Sequence, residues 1–155
     1  MEAVLLSLHV VAGILFIGPV AVAVSLFPRF APQDSARPSV TSSPDIPSPQ
    51  NATVAWALHR ITRVYGALGL FVPVVGTVLA SVQSRLGEPW IILAMILTAV
   101  AGALLVLRIA PAQRDALASP ETPKLLRRIG MLSGLFNLLW VGVVVMMIVR
   151  PGAHF

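Results

Sequence analysis

The sequence predicts an all-α, polytopic membrane protein with four transmembrane helices in a bundle. Two observations carry this. Of its 155 residues, 57% are apolar and 11% charged, with a mean hydropathy of +0.88, against roughly 45–50% apolar and 25% charged in a soluble domain. The apolar residues are also concentrated in four runs without a charged side chain, each near the ~20 residues that a helix needs to cross a ~30 Å hydrocarbon core.

The first run, Ala3 to Phe27, is uncharged, with Ser7 and His9 near its start. It is longer than a signal-peptide core and has no Lys or Arg before it, so it reads as a span rather than a cleaved leader. Residues 28–53 carry Pro28, Pro32, Pro38, Pro44, Pro47 and Pro49 among Ser, Thr, Asp and Gln. That composition predicts a flexible linker. The Asn51-Ala52-Thr53 triplet matches the glycosylation pattern, a match that chance explains if this linker is cytoplasmic. The second span is expected over 56–82, with a tight turn at 83–88 containing Gly87. A third follows over 89–107, then a polar loop over 108–122. Thr122-Pro123 reads as N-cap and first residue of the fourth helix, whose span is expected over 126–149. The whole chain forms one membrane domain.

Four spans place both termini and the 83–88 turn on one side, with Arg85 and Arg150. The other side holds Arg29, Arg37, Arg60, Arg63, Arg108, Arg114, Lys124, Arg127 and Arg128. The positive-inside rule puts the richer side in the cytoplasm and both termini outside. This distribution also answers the net charge of +5, since the basic residues flank apolar runs, as they do at a bilayer surface. The expected partner is the lipid bilayer, and nucleic acid is not one.

The two hairpins echo each other. Arg63 is followed after five residues by Gly69-Leu70-Phe71, and Arg128 after five by Gly134-Leu135-Phe136. Arg29-Phe30-Ala31-Pro32 resembles Arg108-Ile109-Ala110-Pro111. A repeated helical hairpin would have its axis along the membrane normal; accidental likeness of short segments is the competing explanation.

Few residues offer chemistry. Cysteine is absent, which excludes disulfides and thiolate metal sites. No span carries an acid or base in its middle third, which argues against an ion relay. Phosphate loops, zinc spacings and paired carboxylates are missing. His9 is the candidate cofactor ligand: an imidazole one to two turns inside a span, beside Ala12 and Gly13, could hold haem or copper. The plainer alternative is a histidine bonded to a carbonyl or water. His59, Arg60 and Arg63 form a candidate lipid or anion contact, or an ordinary basic anchor. His9 and His59 belong to opposite ends of the bilayer and cannot clamp one haem within a protomer. His154 reads as part of a frayed tail. Gly66, Gly69, Gly76, Gly102, Gly130, Gly134 and Gly142 permit close helix approach. Gly130 and Gly134 form a small-xxx-small pair with Asn137 one turn further on, fit either for a partner interface or for packing within the bundle. Pro19 and Pro73 lie inside spans, where each removes a backbone donor. Gly18-Pro19 is expected to bend the first helix.

The stretch Leu8-His9-Val10-Val11-Ala12-Gly13-Ile14-Leu15-Phe16-Ile17-Gly18-Pro19, closing on Phe27-Pro28-Arg29, resembles the first helix of DUF2269, a family of bacterial integral membrane proteins similar to the copper-resistance protein D group and, more distantly, to the HemJ-type four-helix proteins. His59-Arg60 before an apolar helix also suits the group. The resemblance implies a bacterial plasma membrane, four spans, and His9 at the position of a candidate haem b ligand. It implies no defined activity. The family's Trp-x-Gly-Gly-like continuation is here Phe16-Ile17-Gly18-Pro19, and the lysine expected of the oxidase type has no counterpart in a span. The functional expectation is a non-enzymatic subunit of a homo-oligomer or larger membrane complex. The alternative is a haem- or copper-associated protein using His9. A small transporter is a third reading, for which no midplane site is visible.

Overall fold

In the computed structural model, residues 2–32, 49–119 and 123–151 are described, and all their regular structure is helical. Four helices are long and apolar enough to cross a membrane: Glu2–Phe30, Asn51–Val82, Pro89–Ala118 and Lys124–Val149. We label the elements α1 (Glu2–Phe30), α2 (Pro49–Gly69), α3 (Phe71–Val82), α4 (Pro89–Ala118) and α5 (Pro123–Val149). Arg37, Thr122, His154 and the middle of the expected linker lie outside the described residues.

Two prolines shape α1 and α4 without ending them. In α1 the turn Gly13–Ile17 widens to π geometry immediately before Gly18-Pro19. In α4 the turn Leu105–Ile109 widens immediately before Ala110-Pro111. A proline lacks an N–H and crowds the carbonyl one turn back; a widened turn is one recognised way for a helix to accommodate such an interruption. The expected bend at Gly18-Pro19 thus takes the form of a π-turn.

This accommodation corrects three expected boundaries. The 108–122 segment is not a loop throughout, because α4 runs on through Pro111 to Ala118. Pro111 sits at the start of the segment after the widened turn, where its missing N–H is tolerated. At the ends of the 28–53 linker, α1 continues through Pro28 to Phe30, and α2 begins at Pro49. Asn51-Ala52-Thr53 is therefore helical. The 83–88 turn is present and contains Gly87 as expected, with Ser84 in the left-handed region at φ 56°.

The Gly-Leu-Phe echo takes two conformations. At Leu70 the second long helix breaks, and the Leu70 N–H reaches back only three residues, to the Ala67 carbonyl, at 3.2 Å. At Leu135 the helix is continuous. The difference follows from the residue three positions on. Pro73 cannot donate to the Gly69 carbonyl, whereas Leu138 has an ordinary N–H.

The N-terminal half of α1 packs on α3, its C-terminal half on α2 and α5, and α4 lies along α5. The C-terminal segment of α4 also returns to touch α2. One core gathers Ala23, Phe27, Ala55, Leu58, Ala116 and Ile129 at the arginine-rich end. A second lies next to it around Val20, Val24, Ala101, Ile109 and Phe136. The opposite end has a smaller cluster of Ala80, Trp90 and Ile91.

Candidate functional site

His9 is half-buried, and its ring lies against α3. Its Nδ1–H donates to the Val72 carbonyl at 3.0 Å. A carbonyl can only accept, so this bond places a proton on Nδ1; in the neutral tautomer the lone pair is then on Nε2. Gly76 makes the approach possible: a Cβ there would stand 2.7 Å from His9 Cε1. The pairing of a histidine with a glycine one turn beyond its carbonyl partner explains why α1 and α3 meet where they do.

The surroundings test the fit of a cofactor. Among the described residues, no group of three His, Cys, Asp or Glu side chains could hold a metal ion. Copper would therefore find one imidazole and too few further ligands. Haem would find one axial ligand. An apolar cavity of about 490 Å³ lies beside the α2–α3 break, lined by Phe16, Ala67, Leu68, Leu70, Phe71 and Val74, and His9 is not among its walls. The residues present thus fit a haem or copper poorly.

His59 is directed elsewhere. Its Nδ1 donates to the Gln113 Oε1 at 3.2 Å. Gln113 is completely buried, and its Nε2 has no partner among the described residues. Arg60 lies over the Trp56 ring at 5.7 Å, and Arg63 is exposed. The three residues therefore diverge, with His59 tied to α4 while Arg60 and Arg63 stay at the surface. Between the levels of His59 and of Val72, where His9 docks, the helical rise amounts to about 20 Å. The two histidines do not meet.

On α5, Gly130 stands at ordinary contact distance from Pro28, with 3.9 Å between a built Cβ and the Pro28 Cγ. Gly134 faces open space, with nothing within 4 Å of a built Cβ. Asn137 Nδ2 donates to the Ser25 Oγ of α1 at 2.9 Å, and Ser25 donates to the Ala21 carbonyl at 2.7 Å. Ser133, fully buried, donates toward both the Val24 and the Ile129 carbonyls at 2.9 Å. Asn137 therefore works within the protomer, whereas Gly134 is left uncovered by it.

Gln113 and Ser133 escaped the sequence reading. Gln113 lay in a segment taken for a loop, although Ile109, Gln113 and Ala116 recur at helical spacing. Ser133 gave no signal of its own, since a serine in an apolar helix more often bonds only to its own backbone.

Comparison of the chain with models of protein families, with curated proteins and with solved structures finds no match.

Proposed function

We propose that this chain is a multi-pass protein of a bacterial plasma membrane, with both termini outside. In this reading it serves as a non-enzymatic subunit that packs through α5 against a second copy or a larger membrane complex. The carrying observation is uneven coverage. In the most apolar stretch of each long helix, 28% of residues are buried in the first three but 17% in the last. That least-covered helix is the one with Gly134 facing open space. In lipid, helix association depends on close backbone approach and packing, and small residues permit it.

Open space at Gly134 suits the test, because the first carbon of a larger side chain meets nothing within 4 Å. The wild-type protein in mild detergent is expected to be oligomeric or to carry a stoichiometric partner. Gly134→Leu is expected to release monomers with unchanged thermal stability. A strictly monomeric wild type, or an assembly indifferent to Gly134→Leu, overturns the reading.

The second reading makes His9 a haem or copper ligand, as the likeness to DUF2269 implies. Its support is the bond to Val72, which leaves Nε2 as the free donor nitrogen. It requires a Soret band or bound copper that His9→Ala abolishes, and a colourless, metal-free preparation from native membranes rejects it.

A further inference from the structure

The third and fourth long helices flank a half-open cavity of about 200 Å³ at the arginine-rich end. Its lining is mixed: apolar from Leu107, Pro111 and Ala112 of α4 and Leu125, Ile129 and Leu132 of α5, and polar from Arg108, Arg128 and Asp115. Asp115 lies 3.5 Å from Arg114 Nε, a partner outside the cavity. Neither Arg108 nor Arg128 has a carboxylate at ion-pair distance among the described residues. The pocket thus sets two exposed guanidinium groups, neither of them ion-paired among the described residues, beside apolar side chains, with the Asp115 carboxylate on the same lining.

Depth gives an independent reason for that arrangement. Arg108 stands about 28 Å along the helix axis from Pro89 at 1.5 Å per residue, and Arg128 about 31 Å from Val149. Each is one hydrocarbon thickness, ~30 Å, from the opposite end. Both arginines therefore reach the level at which lipid phosphates sit. Asp115 is about 10 Å further out along α4, toward the cavity mouth and away from the acyl chains. The widened turn containing Arg108 and the onward run of α4 past Pro111 build the wall that a helix ending at residue 107 would lack.

We infer that this cavity binds the phosphate of an anionic phospholipid between Arg108 and Arg128, with an acyl chain lying along Leu107 and Leu132. Arginine suits this role because its planar donors can engage two phosphate oxygens at once. Basic pockets between helices on the cytoplasmic side are suited to anionic headgroups. The inference rests on the membrane reading, but not on the assembly through α5.

The test uses the full chain in mild detergent, with lipid binding followed by native mass spectrometry. Phosphatidylglycerol is expected to be retained in preference to phosphatidylcholine, and inorganic phosphate should not displace it. Arg108→Gln/Arg128→Gln is expected to weaken phosphatidylglycerol binding at least about tenfold. Ala112→Leu, which fills the cavity without changing charge, should weaken it as well, while Arg127→Gln, whose side chain does not line the cavity, should not. Equal binding of phosphatidylcholine, displacement by phosphate alone, or an equal loss in Arg127→Gln overturns the inference, the last by reducing the effect to diffuse charge. Full release of the protein from membranes by alkaline carbonate would instead remove the membrane reading, and this inference with it. A membrane-embedded protein without phosphatidylglycerol preference removes the inference alone.

Discussion

The two ends of the molecule differ in composition and pack very differently: the helical segments at the arginine-rich end are the less apolar ones, those at the other end the more apolar. At the arginine-rich end, α1 buries Val20, Ala23, Val24 and Phe27. There the helices are also cross-linked by His59 to Gln113, Ser133 to Val24 and Asn137 to Ser25. At the other end, the Glu2–Ala12 segment of α1 buries only Ala12, and its link to α3 is the single bond from His9 to Val72. The better-packed end is the less apolar one, so hydrophobicity does not account for its packing. What differs is the supply of small residues and polar side chains. Ala21, Ala23 and Ser25 bring α1 close to its neighbours, whereas Val4, Leu6, Leu8, Val10 and Val11 surround the first segment with bulk and stay exposed. On the proposed membrane reading, apolar surface gains little by leaving lipid for another helix, so close packing and hydrogen bonds decide where helices meet.

The sharpest way to break this comparison is to remove one large side chain from each end. Phe27 is 0% exposed and Leu6 is 44% exposed. Phe27→Ala should destabilise the protein by about 3–5 kcal/mol through the cavity it leaves. Leu6→Ala should change stability by less than about 0.5 kcal/mol. Reversible unfolding in mixed micelles measures both. Equal losses would mean that the ends contribute alike.

The next largest effect belongs to the contact that docks α1 on α3 at the sparse end. Gly76→Val places a side chain where His9 now lies, with the first added carbon 2.7 Å from Cε1. Overpacking of this kind costs about 1–3 kcal/mol. Adding His9→Ala should recover most of that loss, because the two residues share one space. A double-mutant cycle without coupling would show that α1 meets α3 by some other contact.

The long helices were legible because unbroken apolar runs near membrane length leave few other structures open to the chain. The turn at 83–88 was legible for the same reason, as the interval between two such runs. The C-terminal half of α4 was not, because Pro111 looks like a stop. Its helical continuation depends on the widened turn at Leu105–Ile109, and no composition rule signals such a turn. That miss concealed Gln113 and one wall of the cavity at Arg108. His9 was singled out from its depth, but its partner could not be. Val72 contributes a backbone carbonyl and Gly76 an absence of side chain, and neither leaves a mark in a sequence pattern. The Gly-Leu-Phe echo fails in the opposite direction, since alike residues adopt unlike conformations once Pro73 is counted.

The smallest expected effect separates contacts inside the protomer from contacts between protomers. Asn137 was read together with Gly130 and Gly134, but its amide is already engaged with Ser25 across to α1, while its Oδ1 is buried without a partner. The amide thus gains one bond and leaves an acceptor unsatisfied, so its net contribution is held near the ~0.6 kcal/mol average for interhelical hydrogen bonds in a membrane. Asn137→Ala and Ser25→Ala should each destabilise by about that amount, and the double variant by no more than either. Neither should alter the assembly state measured by light scattering in detergent, where Gly134→Leu does. Dissociation in Asn137→Ala with unchanged unfolding would move the asparagine from the protomer's own packing to the interface.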